Sequence, residues 1–253
     1  MNNPPSSHDY LKRKVSSLTK AEEGQYRLSP TLLYIGEMKM GLPNGSGCVI
    51  EINTTNGDKP TGNVIYEGCI ENKLYNGKGK RYVDGYLYED GIFERGVIRE
   101  GIRYYSNGTL FSGTFIEGKR YDGRMVFPNG FFFSCRWEDD KPYNSVTVSY
   151  PSATDKTAYK VGPESFLYYS DRVQIKQKDC WNIFYSNGDV FIGEINARGI
   201  DNGILYKYNE TTGTSFSRFE IGNVKVKVDG PEMVLYDTNY KSFRMKNKYL
   251  CLL

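Results

Sequence analysis

The stretch YSNGTLFSGTF, which begins at Tyr105, decides the fold because two other stretches of the chain repeat it closely. FPNGFFFSCRW begins at Phe127, and YSNGDVFIGEI begins at Tyr185. Each copy has an aromatic residue, a turn-forming Asn-Gly, and an alternating run with an aromatic, a small and a large apolar residue. One structural unit is therefore copied along the chain, which predicts a repeat architecture. Because repeat arrays mostly offer surfaces to other molecules, the pattern also favours binding over catalysis.

Composition favours many short strands separated by turns. The 253 residues include 27 Gly and 10 Pro, and 15% of them are aromatic, a balance more typical of strands than of helices. The net charge is only +3, with a mild excess of basic residues at the two ends. A dedicated nucleic-acid-binding protein needs a dominant basic surface, so we expect no nucleic-acid partner.

The best-formed copies of the unit are YIGEMKMGLPNGSG, from Tyr34, and YEGCIENKLYNGKG, from Tyr66. Units starting at Tyr66, Tyr88, Phe111 and Phe133 follow one another at steps of 22, 23 and 22 residues, a spacing typical of repeat arrays. The structural repeat positions are Tyr34, Gly36, Gly45, Gly47, Tyr66, Gly68, Gly77, Gly79, Phe111, Gly113, Phe133, Phe191 and Gly193.

Each unit is predicted to be a β-hairpin. Alternation places the aromatic, the small residue and the next apolar residue on one face of the sheet. The missing side chain at the Gly position lets neighbouring aromatic rings lie over it, and the mixed opposite face is expected to be wetter. Four dipeptides are predicted to be two-residue type I′ hairpin loops, with positive φ at both positions. They are Asp84-Gly85, Asn107-Gly108, Asn129-Gly130 and Asn187-Gly188.

The pattern Y-x-G-x-(aromatic or apolar)-x-x-G-x-x-x-G-x-G resembles the MORN repeat (membrane occupation and recognition nexus) over residues 31–222. The resemblance implies an all-β fold, an elongated single-layer antiparallel sheet of tandem β-hairpins, often closed by a short C-terminal helix. It also implies scaffolding of cytoskeletal assemblies, myosin tails or membrane contact sites. The motif is almost absent from residues 142–180, where we expect the array to be irregular.

The two ends of the chain differ from the array. Residues 1–30 form a polar, mildly basic segment in which Leu11, Val15 and Leu18 recur with a weak helical spacing. We expect a solvated tail or a short lid over the first strand, with a membrane or partner anchor as the alternative. Residues 223–253 are predicted to cap the last unit, and they are too few for a further domain.

The sequence offers little catalytic chemistry. The only His is His8, in the tail, which argues against a His-dependent relay or a His-containing metal centre in the array. The five Cys are widely spaced without a CxxC, so neither disulfides nor zinc are indicated. We therefore expect no catalytic, cofactor-binding or metal-binding residues. A remote alternative is a carboxylate-dependent glycoside hydrolase, and the acidic residues for it are Glu89, Asp90, Glu138, Asp139 and Asp140.

These observations favour a non-enzymatic scaffold or adaptor. Because the N-terminus lacks a secretory signal and no long apolar run is present, we expect a cytoplasmic protein associated with the cytoskeleton or a membrane surface. A cytoskeletal or motor protein is the expected partner, and Trp137 and Trp181 are the candidate partner-binding residues, since Trp is enriched in binding hot spots. The alternative is a peripheral module whose basic ends meet anionic phospholipid. Homodimerisation through an exposed end strand is left open.

Overall fold

The computed structural model of the chain describes residues 22–52, 62–149, 158–177, 180–196, 199–208, 216–221, 233–236 and 242–245. Nearly all of these residues lie in β-strands, and a 3-10 turn at Pro163–Ser165 is the one helical element among them. The predicted all-β class is confirmed. Within the same residues, no helix has the length and apolar character needed to span a membrane.

The strands form antiparallel sheets in which neighbours along the chain are also neighbours in the sheet. One sheet has twelve strands in the order β1 to β12, a second has six in the order β13 to β18, and β19 pairs with β20. Sequential antiparallel pairing is the topology of tandem hairpins, so the predicted single-layer hairpin sheet is confirmed. The strands are β1 Glu22–Ser29, β2 Leu32–Lys39, β3 Leu42–Glu51, β4 Val64–Glu71, β5 Leu74–Val83, β6 Tyr86–Glu94, β7 Val97–Tyr104, β8 Leu110–Ile116, β9 Lys119–Val126, β10 Phe132–Glu138, β11 Lys141–Ser149, β12 Ala158–Val161, β13 Phe166–Tyr168, β14 Arg172–Gln177, β15 Cys180–Tyr185, β16 Val190–Asn196, β17 Gly199–Tyr208, β18 Phe216–Ile221, β19 Met233–Tyr236 and β20 Ser242–Met245.

The chain ends differ in part from expectation. Strand β1 lies inside the predicted tail and pairs with β2 from Glu22 opposite Met38 to Ser29 opposite Leu32. The helical spacing of Leu11, Val15 and Leu18 lies outside the described residues. In the predicted C-terminal cap, β19 and β20 form an antiparallel pair, so no capping helix is found among the described residues there. The segment MVLY favours a strand because Val and Tyr suit a pleated surface.

Contacts divide the chain into two units, residues 1–104 with 113–119 and residues 105–112 with 120–253. The first unit is organised around a row of glycines, in which each strand from β1 to β7 contributes one glycine that pairs with the next. The row consists of Gly24, Gly36, Gly47, Gly68, Gly79, Gly91 and Gly101.

Buried tyrosine rings explain two glycines of this row. A Cβ on Gly79 would lie 2.5 Å from Cζ of Tyr66, whose hydroxyl donates a hydrogen bond to the Cys69 carbonyl at 2.8 Å. Tyr34 takes the same position over Gly47. Both rings are completely buried, and burial raises the pKa of both hydroxyls above the usual tyrosine value. Gly47 and Gly79 therefore make room for the tyrosine ring of the preceding strand.

The hairpin turns are of two kinds. Asp84 and Gly85 have φ of 49° and 77°, so the predicted two-residue type I′ loop is confirmed there. Two-residue loops with positive φ at both positions also join strand pairs at places that the sequence reading did not select. These loops are Met40-Gly41, Asn72-Lys73, Arg95-Gly96, Glu117-Gly118 and Asp139-Asp140.

For the other three loops the prediction of type I′ is wrong, although each of them is a hairpin turn. Tyr105 N donates to Thr109 O at 3.0 Å and Gly108 N donates to Tyr105 O at 3.0 Å, while φ is positive at Gly108 and not at Asn107. This is a three-residue loop with a type I turn and a glycine bulge. The Asn107 side chain accepts the Thr109 amide at 3.1 Å, which stabilises the Asn in a conformation without positive φ. The Asn129-Gly130 and Asn187-Gly188 loops have the same hydrogen bonds.

The second unit contains the segment 142–180 in which the motif is almost absent. This segment holds the end of the twelve-stranded sheet and the start of the six-stranded sheet. The two sheets meet at Phe131 and Phe184, whose rings stack at 3.9 Å. Beside them the buried Asn129 donates from Nδ2 to the Gly188 carbonyl at 3.0 Å. The motif is lost here because the chain ends one sheet and begins another.

The repeat returns in the six-stranded sheet. Gly203 stands ten residues after Gly193 and pairs directly with it, as Gly79 pairs with Gly68 in the first unit. A Cβ on Gly203 would lie 2.7 Å from the buried Phe191 ring. The aromatic-over-glycine packing is thus the same in both sheets.

Candidate functional site

Trp137, one of the two candidate partner-binding residues, lies in the core of the second unit. Its side chain is only 3% exposed, and the rings of Phe111 and Phe133 pack against it with centroids 5.7 Å away. The Arg120 guanidinium lies over the indole at 3.9 Å from the ring centroid. This burial argues against Trp137 as a surface contact.

Arg120 ties together elements that are far apart in the sequence. Its Nε donates to Asp140 Oδ1 at 2.9 Å, and another of its nitrogens donates to the Tyr168 hydroxyl at 3.1 Å. Burial alone lowers the pKa of Arg120, but Tyr105, Tyr168 and Asp140 outweigh burial and raise the pKa above its usual value. The cation is therefore held by stacking and hydrogen bonds, which indicates a structural role.

Trp181 remains available as a contact residue. It lies on β15 opposite Lys176 of β14, is partly exposed, and has the Lys176 ammonium 5.9 Å from its ring centroid. The structure does not bring the two tryptophans together at one surface.

Two acidic residues of the hydrolase alternative, Glu89 and Asp90, each contact basic side chains. Glu89 is buried between Arg81 and Arg103, which donate to its two oxygens at 2.7 and 2.6 Å. Asp90 follows it in the same strand and so points to the opposite face, where Lys80 lies 3.7 Å away.

The remaining acidic residues lie at a hairpin. Asp139 and Asp140 form its turn, directly after Glu138 at the end of β10. Among the described residues, no group of three or more His, Cys, Asp or Glu is placed to hold a metal ion.

The first unit has two different faces. The tyrosine face carries Tyr34, Tyr66 and Phe93, which are buried. The open face is the other side, where Lys78 and Lys80 project beside the glycine row.

An open groove of about 530 Å³ crosses the open face. Its floor is Gly68, Gly79 and Gly91, and its walls come from side chains on both sides of the glycine row. The walls are Glu67, Lys78, Lys80, Asp90 and Ile92. Positive and negative side chains alternate along them, so the groove has no net charge.

Exposed apolar side chains continue the open face towards the hairpin tips. Leu42, Leu74 and Val97 each follow a two-residue turn, at equivalent positions in successive hairpins. Leu74 is 48% exposed and Ile116, which alternation places on the same face, is 53% exposed. We call Leu42, Leu74, Val97 and Ile116 the tip row. Exposed apolar residues that recur in a row are typical of an interaction surface.

Only part of the open face is exposed to solvent, although the alternation predicts that this whole face is the more exposed one. Towards the other end of the strands, an apolar cluster on this face is buried. The cluster contains Ile35, Cys48, Ile50, Val64 and Tyr82, with Leu33 and Leu87 packed against it. The sequence reading missed this cluster because Val64 and Leu87 reach the open face through β-bulges that shift the register.

The tip row could have been predicted from the sequence. Leu42 and Leu74 each lie eight residues after the leading Tyr of their unit, and Val97 lies nine residues after its own. The sequence reading considered the aromatic residues of the tyrosine face instead. No protein-family model matches the chain, and no curated protein matches it; the resemblance to the MORN repeat therefore depends on the motif and its spacing.

Proposed function

We propose that the protein is a non-enzymatic, MORN-type scaffold that binds another protein on the open face of its first unit. The observation that carries the proposal is the combination of the groove over the glycine row with the exposed apolar tip row. The aromatic residues of the repeat are occupied with packing, so the open face offers the available contact surface.

The spacing of the tip row supports an elongated partner segment that crosses the strands. Equivalent residues of successive hairpins are two strands apart, which is about 9.6 Å at a strand spacing of 4.8 Å. An α-helix presents residues seven positions apart at about 10.5 Å. A helix with an apolar residue in every heptad therefore fits Leu42, Leu74 and Val97 in turn, and its polar residues face the groove.

The balanced charge of the groove supports a protein partner over a membrane. Lys78 and Lys80 stand beside Glu67 and Asp90, whereas attraction to anionic lipid needs an excess of basic residues. The cytoskeletal or motor partner and the cytoplasmic location come to this proposal from the family resemblance.

Quantitative affinity capture from the native cell tests the proposal. The bait carries Leu74→Glu and Val97→Glu, which place two charges in the tip row, and the matched control is Val83→Glu, an equally exposed residue at the other end of β5. We expect the tip-row variant to lose the proteins that the wild type and the control both capture. Equal capture by all three baits would contradict the proposal, provided that circular dichroism confirms folding of each bait.

A further inference from the structure

Strand β1 is an edge strand among the residues that the structure describes. It pairs with β2 on one side only, over Glu22–Ser29. The outward N–H and C=O groups of an edge strand are a template for pairing with another strand. Glu23, Gln25 and Arg27 are exposed along this edge.

We propose that two copies of the chain pair antiparallel through β1, with Gln25 of each copy at the twofold axis. When a twofold axis perpendicular to the sheet relates the two β1 strands, residue i of one copy lies opposite residue j of the other, and j lies opposite i. Residues directly opposite each other in an antiparallel pair point to the same face of the sheet. Two residues on the same face of a strand differ by an even number of positions. One residue of β1 therefore lies opposite itself at the axis.

The charges of β1 select Gln25 for this position. With Gln25 at the axis, Glu23 of each copy lies opposite Arg27 of the other, which gives two symmetric pairs of opposite charge. With Glu23 or Arg27 at the axis, like charges lie opposite each other, and with Gly24 or Tyr26 there, no charged pair forms. The Gln25 register also overlaps residues 22–28, nearly the whole strand.

Opposite charges directly across an antiparallel pair are stabilising, and like charges are destabilising. Arg27 already donates to the Pro30 carbonyl at 3.2 Å, and a guanidinium has further N–H donors for a carboxylate. The proposal is independent of the open face, since β1 lies at the edge of the sheet.

Sedimentation equilibrium of the full chain over a concentration series, with Glu23→Arg, Arg27→Glu and the double variant, tests the register. Each single variant replaces two attractions with two repulsions, so we expect the dimer Kd to rise about tenfold. The double variant exchanges the charges of each pair and restores the wild-type Kd. A wild type that is monomeric at all concentrations overturns the proposal, as does a double variant that dimerises no better than the single variants.

Disulfide trapping gives a second test that does not depend on affinity. Gln25→Cys places two thiols at the axis, and we expect a covalent dimer under mild oxidation. Ser29→Cys is the control, because its copies would lie about eight residues apart along the strands, roughly 26 Å at 3.3 Å per residue. The register is contradicted if both variants form the covalent dimer to the same extent. It is also contradicted if neither variant forms more covalent dimer than the parent chain.

Discussion

Replacing Gly79 by Ala tests the packing of aromatic rings over glycines. The Ala Cβ would lie 2.5 Å from Cζ and 2.7 Å from Cε2 of Tyr66, whereas carbon atoms in contact are normally about 3.5–4.0 Å apart. Because the ring is completely buried, it cannot turn into solvent. Overpacking costs about 1–3 kcal/mol, and loss of the hydrogen bond to Cys69 costs about 1 kcal/mol. We expect the free energy of unfolding to fall by about 2–4 kcal/mol.

Urea unfolding followed by circular dichroism measures this change, and the midpoint should fall by roughly 1 M for a slope of 2–3 kcal/mol per M. If the tyrosine ring causes this loss of stability, the cost of Gly79→Ala must depend on the presence of Tyr66. In a Tyr66→Leu background, Gly79→Ala should therefore cost less than about 1 kcal/mol, since contacting residues couple by that order. Gly41→Ala, in a turn with nothing within 4 Å of its Cβ, is the control and should cost the same in both backgrounds. An equal cost of Gly79→Ala in both backgrounds refutes the reasoning.

Three further predictions concern buried polar groups and thiols. Glu89→Gln leaves two arginines facing a neutral amide in a buried site, and should lower the urea midpoint by the equivalent of about 3 kcal/mol; an unchanged midpoint contradicts this. Asn129→Ala removes two buried hydrogen bonds and should cost about 2 kcal/mol, more than Asn107→Ala in the matching exposed loop, and the reverse order would count against the packing of Asn129. Burial raises the pKa of Cys135 to about 12, so at neutral pH a thiol reagent should modify the less buried Cys69 first; mass spectrometry finding Cys135 modified first would disagree.

The hairpins and their tyrosine face could be predicted from the sequence because they follow from local rules. Alternation assigns Tyr66 and Gly68 to one face, and the repeat locates an equivalent aromatic and small residue in the units at Tyr34, Phe111, Phe133 and Phe191. Gly203 in the six-stranded sheet follows the same rule even though its spacing from Gly193 is ten residues.

The features that could not be predicted depend on contacts between distant residues. Asn-Gly is compatible with both kinds of hairpin loop, and the hydrogen bond from Asn129 to Gly188 joins residues 59 positions apart. Trp137 ends the copy FPNGFFFSCRW, so alternation places it on the packing face with Phe133 and Cys135. Its contacts with Arg120 and Tyr168 join other strands and could not be predicted from the motif.

Lysine footprinting tests most directly the claim that the open face binds the partner. Lysines are acetylated on the protein alone and in the complex captured from the native cell, and mass spectrometry quantifies each site. The account predicts that Lys78 and Lys80, which line the groove, lose reactivity in the complex, while Lys141 and Lys160, which are exposed in the second unit, keep it. Unchanged reactivity at Lys78 and Lys80 together with protection of Lys141 and Lys160 would contradict the account.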